Sequence, residues 1–355
     1  MTDDTNDPRE SLTHPRRRTV LYGHERAERR ILEAWSAGRL HHAFLIAGPE
    51  GIGKATFAYR VARFLLRHPD PAAATPSQGL EISGTDTVAR LVAARSHPDL
   101  AVVEPRFDDR TKRIKREIAA DDARVPSAFF GLTAGLGGYR VVIVDAADNL
   151  NKTSANALLK ILEEPPPRAI FLIVTHAPGS LLPTIRSRCI RLDLAPLDTA
   201  TVERILGEII EEPGGDPELV RQAAELSRGS PGRAHELLNA HVTGHFSRFR
   251  KLVAAGPPFN RKDALEIAAG VSGRGSEGDE GWDMFCWLLT DWLTAHARAL
   301  ALAGEVQAPA FAAAHEEITG SLRRTNALNL DRRQTVLEAF QAVEQAAAGR
   351  RPTAS

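Results

Sequence analysis

Between residues 19 and 194 the chain alternates short apolar runs with stretches whose apolar positions recur at helical spacing. The runs "AFLIAG", "DLAVVEP", "YRVVIVDAA" and "AIFLIVTHA" predict strands buried on both faces. "RAERRILEAWSAG" predicts an amphipathic helix stopped at Gly38, and "KATFAYRVARFLL" predicts a second helix. In "TSANALLKILEEPPP", Ala155, Leu158, Leu159 and Leu162 share one helical face. Pro165 to Pro167 then end that helix, because proline lacks an amide donor and disfavours a helical residue before it. Residues 68–84, rich in Pro, Ala and Gly, read as a loop or an insertion. Strands separated by helices predict an α/β fold built on a parallel sheet.

After "RCIRLDLAPL" the strand pattern ends. "TATVERILGEII", "PELVRQAAELS" and "GRAHELLNAHV" predict a set of short helices. Longer ones follow in "GWDMFCWLLTDWLTAHARALALAG" and "LDRRQTVLEAFQAVEQAAAG", with "VSGRGSEGDEG" as a polar connection before them, so the C-terminal third is expected to be a helical bundle. Trp282, Phe285, Cys286, Leu289 and Leu293 fall on one helical face. Such a stripe can stack nucleic-acid bases, but at this spacing it reads as core or subunit packing.

At 355 residues the chain is long enough for two or three domains. Its 43% apolar and 25% charged residues are those of a soluble globular protein. Lys+Arg and Asp+Glu both number 45, so no overall basic field advertises nucleic-acid binding. The two cysteines, Cys189 and Cys286, exclude a disulfide framework and fit a reducing, cytoplasmic compartment. No apolar run approaches the roughly 18–20 residues that span a bilayer, and the N-terminal stretch lacks the apolar segment of a secretory signal. Residues 1–18 are expected to form a disordered tail in which Arg16, Arg17 and Arg18 are solvated.

Candidate chemistry enters at "AGPEGIGKAT". Gly48, Gly51, Gly53 and Lys54 have the spacing of a phosphate-binding P-loop between a strand and a helix. Successive backbone amides at a helix N-terminus cradle an anion there, and the lysine reaches the β- and γ-phosphates. The hydroxyl residue that holds magnesium is replaced by Ala55. Thr56 joins the candidate nucleotide-binding residues, but one helical step turns a side chain by about 100°, so its hydroxyl does not stand in for the missing one. Asp145, after "VVIV", occupies the position of a Walker-B carboxylate, followed by Ala146 where an ATPase places the glutamate that polarises water. Asp148 reads as a capping or solvated residue, and Thr175 stands near a sensor position. In "TIRSRCIRL", Arg186 and Arg191 read as surface ion-pairing residues, and Cys189 as a packing residue at the start of a core strand.

Together these blocks resemble the delta-prime family of bacterial DNA polymerase III clamp-loader subunits. "LYGHERAERRILEAWSAGRLHHAFLIAGPEGIGKAT" is similar to the family's opening block, and "VVIVDAADNLNKTSANALLKILEEPPPRAIFLIVT" to its Walker-B region. "LLPTIRSRCIRLDLAPL" matches its Ser-Arg-Cys motif and "LSRGSPGRAHELL" its sensor-2 region. The last two also occur in gamma/tau ATPase subunits; the degenerate P-loop and Walker B point to delta-prime. The resemblance implies a RecA-like AAA+ module over residues 19–194, a small helical lid over 195–242 and an all-α collar over 243–355 that oligomerises. It implies a hetero-pentamer with delta and gamma/tau subunits that loads the ring-shaped sliding clamp (beta) onto primer-template DNA. Arg188 of "SRC" would reach the neighbouring gamma/tau subunit's ATP site as an arginine finger. Arg233 of "GSPGRA" would contact phosphate in this chain's own degenerate site or bridge lid to module. No cofactor is required, ATP or ADP binding without hydrolysis is allowed for, and the family's four-cysteine zinc module is not expected. His68 and His97 remain in that region, without thiolate partners. Two other readings stay open: an active AAA+ ATPase of the gamma/tau type, and a DNA-binding P-loop protein acting alone.

Overall fold

The computed structural model describes residues 11, 13–73, 79–108, 110, 113–115, 117–119, 121–131, 133–209, 217–238, 240–273 and 276–349. The chain divides into two compact units, Met1–Ala234 and His235–Ser355.

The first unit opens with α1 (Glu25–Ser36), β1 (Ala43–Ala47), α2 (Lys54–Arg67), α3 (Thr87–Ala93) and β2 (Leu100–Val103). A two-stranded antiparallel hairpin, β3 (Phe107–Asp108) and β4 (Arg113–Ile114), leads to α4 (Val125–Gly131). β5 (Arg140–Val144), α5 (Lys152–Glu163), β6 (Ala169–Thr175), α6 (Pro183–Arg186) and β7 (Ile190–Asp193) follow. The main sheet runs β2-β5-β6-β1-β7, and every pairing in it is parallel. Phe44 therefore lies beside Leu172 on one side and Ile190 on the other. Connections cross to opposite sides of β1, which makes its carboxyl end the place where this class of sheet opens a crevice.

β1, β5 and β6 are buried along their whole length. Their side chains divide by the two-residue period of a strand. Phe44, Ile46, Val141, Ile143 and Leu172 pack under α1, α2 and α3, against Trp35, Phe57 and Phe64. Leu45, Val142, Val144, Phe171 and Ile173 face the other way, toward Leu158 and Leu162 of α5 and Ile185 of α6. Fully burying each such side chain is worth about 1.5–3 kcal/mol, which explains why these runs read as strands without polar alternation. The first proline after α5 is Pro165, and the helix closes at Glu163, as the sequence predicts. β7 departs from expectation: it is an edge strand in which Leu192 alone is buried, so Cys189 precedes an edge rather than a core strand.

The expected disordered tail is corrected over its final residues. Arg16 is 1% exposed, and its Nε donates to the Ala93 carbonyl at 3.0 Å. Arg63, buried in α2, donates to the carbonyls of Arg16 and Arg18. A buried guanidinium needs acceptors, and the 13–18 backbone supplies them. Residues 1–10 and 12 lie outside the described residues.

Three helices, α7 (Thr199–Ile209), α8 (Pro217–Leu226) and α9 (Pro231–Leu238), cover the range read as a lid. Residues up to Ala234 belong with the sheet, because backbone bonds such as Leu197 N to Gly229 O and Gly232 N to Gly51 O tie them to it.

The second unit is all-helical: α10 (Ala240–Ala255), α11 (Arg261–Val271), α12 (Ser276–Leu302), α13 (Ala308–Leu328) and α14 (Arg332–Ala347). Asn260 and Asp331 cap α11 and α14 by accepting from backbone amides of the first turn. Of the stripe Trp282, Phe285, Cys286, Leu289 and Leu293, all but the half-buried Cys286 are buried, as packing predicts. The segment read as a polar connection is shorter than expected, since α12 begins at Ser276. Arg332 accounts for this order: its guanidinium pairs with Asp279 at 2.6 Å and donates to the Gly273 carbonyl at 2.8 Å.

Candidate functional site

The P-loop spans the gap between β1 and α2. Gly51 and Gly53 adopt positive φ, +74° and +97°, which side chains other than glycine's rarely tolerate, and Gly53 is the N-cap of α2. The strand–glycine turn–helix arrangement read from the sequence is therefore present. Lys54 is 3% exposed, and its ammonium is turned back onto its own loop. It donates to the carbonyl of Gly48 at 2.8 Å and to that of Pro49. Burial pushes Lys54 down to about 8, opposed by the charges of Glu50, Asp145 and Asp148. Thr56 faces inward on α2 with 9% of its surface exposed.

The first turn of α9 lies directly on the loop. Gly232 N donates to Gly51 O at 2.9 Å, and Ser230 Oγ donates to Glu50 O at 2.8 Å. A Cβ added to Gly232 would lie 2.8 Å from the Gly51 Cα, so only glycine permits this backbone approach. Arg233 pairs with the Glu50 carboxylate, which makes it a bridge from α9 to the P-loop, one of its two expected roles. From the other side, His24 Nε2–H donates to the Ile52 carbonyl at 2.8 Å. Burial lowers the His24 pKa, opposed by this bond to Ile52. Sequence reading missed His24; its signal was the glycine before it and the helix start after it, a turn placed to reach the loop.

Asp145 follows β5, at the Walker-B position, and its backbone amide is bonded to Val103 O. Burial and the neighbouring Glu104 push its carboxyl up to about 6, against the pull of Lys54. Ala146 and Ala147 are buried apolar residues where a water-polarising carboxylate would stand. Asp148 is corrected from a capping or solvated residue to an acceptor that ties two strand ends together. It receives the Thr175 hydroxyl at 3.0 Å and the amides of His176 and Ala177 at 2.8 and 2.9 Å. Burial alone would raise its pKa, but these three donors hold it below the usual carboxylate range. Thr175, expected near a sensor position, is engaged with this carboxylate.

The Asp145 shift has a pH signature. Between about pH 4 and 6 the folded chain retains a proton that the unfolded chain has released, so this residue costs nothing below pH 4 and destabilises as pH rises through 6. Asp145→Asn is expected to stabilise the protein by on the order of 2 kcal/mol at pH 7.5 and to change little at pH 4. Thermal unfolding of both proteins at the two pH values checks this; equal effects at both would overturn it.

Arg188 lies away from this cluster, between α6 and β7. Its side chain is 34% exposed, and its guanidinium donates to Thr184 O at 3.0 Å and pairs with Glu163 of α5 at 2.9 Å. Arg191 pairs with Asp193 at 2.7 Å, the surface role expected of it, and Arg186 is exposed. Cys189 is half-buried and packed against the core, and burial pushes its thiol up to about 12. His97 accepts from the Asp99 amide through Nδ1 at 3.1 Å, and burial lowers its pKa. No group of three or more His, Cys, Asp or Glu is placed to hold a metal among the described residues.

The residues at the P-loop do not fit a magnesium-organised hydrolytic site. Ala55 and Ala146 lack the required oxygens, and the lysine ammonium is satisfied by its own loop.

Known proteins share this layout in sequence. Residues 23–198 match the family described as DNA polymerase III, delta subunit. The chain is 37% identical over 199 residues to the DNA polymerase III subunit delta' of Pseudomonas aeruginosa, covering 55% of each chain. It is 33% identical over 205 residues to the subunit delta' of Escherichia coli, covering 58% of this chain and 57% of that one. It is also 34% identical over 201 residues to the DNA polymerase III subunit gamma/tau of Mycobacterium tuberculosis, covering 55% of this chain and 31% of that one. The matches thus span little more than half the length of the delta' relatives. Over its P-loop module, the chain is similar to DNA polymerase III delta-prime subunits.

Proposed function

We propose that this chain is a delta-prime-type subunit of a DNA polymerase III clamp loader and acts in DNA replication as a non-hydrolysing partner. The observation that carries this reading is the P-loop, which keeps its backbone form while Lys54 is bound to the Gly48 and Pro49 carbonyls and Ala55 and Ala146 replace the groups that organise hydrolysis. Its contribution to catalysis is made in a neighbour's site, through the exposed side of Arg188. The neighbouring site belongs to a gamma/tau-type subunit, and delta completes a hetero-pentamer that opens the sliding clamp and closes it on primer-template DNA. The complex works in the cytoplasm; among the described residues no helix is long and apolar enough to cross a membrane. ATP or ADP binding here requires exchange of Lys54 from carbonyl oxygens to phosphate and leads to no hydrolysis. No zinc is required.

A second reading, an active ATPase of the gamma/tau type, is favoured by the 34% identity to such a subunit over 201 residues. ATP turnover by the isolated chain separates the two. We expect no turnover above background, and restored clamp loading when the chain is added to gamma/tau and delta subunits. Steady hydrolysis by the chain alone, at the rate of a working AAA+ motor, would establish the second reading instead.

A further inference from the structure

Arg188 stands two residues beyond the short helix α6, and two groups from different elements fix its guanidinium. Nη1 donates to Thr184 O at 3.0 Å, within the same turn of chain. Nη2 lies 2.9 Å from Oε1 of Glu163, the last residue of α5. Glu163 is itself placed with little freedom: Leu158 and Leu162 anchor its helix in the core, and Pro165 to Pro167 stop the helix beyond it. A guanidinium has five N–H donors in a rigid fork, and these two contacts engage one edge of it. The side chain remains 34% exposed, so it is not enclosed by these two contacts.

We infer that Glu163 is a positioning residue for Arg188, holding the guanidinium in the rotamer it presents to a nucleoside triphosphate bound by a neighbouring subunit. The inference rests on the reading of Arg188 as an arginine finger. An arginine on a flexible stem spreads over many rotamers, and only those pointing at the transferred phosphoryl group lower the barrier. Fixing one rotamer in advance removes that loss of orientation from the catalytic step. The carboxylate acts on the arginine and not on nucleotide binding, so its loss lowers turnover and leaves KM for ATP unchanged.

The test is steady-state ATP hydrolysis by the full reconstituted complex carrying Glu163→Gln, Glu163→Asp, Arg188→Ala or the Glu163→Gln/Arg188→Ala pair. Glu163 is 49% exposed, so these changes leave the core untouched. An exposed ion pair is weak, and we expect Glu163→Gln to lower kcat by between about two- and fivefold with unchanged KM and assembly. Glu163→Asp, which keeps the charge one methylene shorter, is expected to recover most of the loss. On the Arg188→Ala background, Glu163→Gln should have no further effect. Turnover by Glu163→Gln equal to or above that of the unmodified complex, with Arg188→Ala impaired, overturns the positioning role and leaves the finger standing. A Glu163→Gln loss that persists without Arg188 also overturns it. Normal turnover by the Arg188→Ala complex removes the finger itself.

Discussion

Replacing Arg188 by alanine is expected to leave the chain folded and the complex assembled while hydrolysis at the adjoining site falls by about three orders of magnitude or more. An arginine supplied in trans to a transferring phosphoryl group is worth about 10³–10⁵-fold in other nucleotide-hydrolysing systems, because it neutralises charge that develops only in the transition state. The fold should tolerate the change. Arg188 is one-third exposed and its partner Glu163 is half-exposed, and such pairs contribute about 1 kcal/mol or less. Since this chain borders only one site in the proposed assembly, total ATPase falls by that site's share, and clamp loading, which needs the whole cycle, falls further. Arg188→Lys should recover little, since an ammonium lacks the planar fork. Arg191→Ala is the control: Arg191 is already paired with Asp193, and its loss should leave turnover unchanged. The measurement is DNA-stimulated ATP hydrolysis and clamp loading by the reconstituted loader. Normal values for Arg188→Ala would remove the catalytic role assigned to this chain.

The parallel sheet was legible because its central strands are buried on both faces. β1 is apolar throughout, and in β5 and β6 the polar residues stand only at an end, Arg140 opening β5 and Thr175 closing β6. The P-loop was legible for a different reason: a glycine spacing serves one backbone path, and Gly51 and Gly53 adopt the positive φ it requires. The contacts that lock this loop were much less visible. Gly232 meets Gly51 across some 180 residues of sequence, and the bond from His24 to Ile52 depends on where two turns meet in space. Asp148 was misread because its partners, Thr175 and the two amides after it, lie at the end of the adjacent strand, and register between parallel strands is set by the whole sheet. The buried Arg16 was misread because composition alone makes an arginine-rich end look solvated, whereas Arg63 needs the 13–18 carbonyls. Arg188 carries no local structural peculiarity at all. Its significance came from family resemblance, and its geometry adds the partner Glu163 that no spacing rule would supply.

Trp282→Ala is expected to destabilise the C-terminal helical unit by about 3–5 kcal/mol, the range for truncating a buried aromatic side chain and leaving a cavity. Trp282 is fully buried in α12, and its indole N–H donates to Asn326 Oδ1 of α13 at 2.6 Å. Its ring stacks on Phe285 at 6.2 Å, which meets Phe249 and Phe340 at 5.9 and 6.0 Å. The Arg332 guanidinium lies 5.3 Å from the indole centroid, so one side chain joins α12, α13 and the start of α14. Alanine removes the packing and the indole donor together and leaves a void in the core. Trp282→Phe keeps most of the volume and should cost less than half as much, which separates the packing contribution from the hydrogen bond. Denaturant titration followed by helical circular dichroism measures both. An unchanged midpoint together with lost affinity for single-stranded DNA would mean that the indole is a base-stacking platform instead. A ring with no exposed face has nothing to offer a base, and the stripe that carries it is therefore expected to fail as a core residue fails, by unfolding.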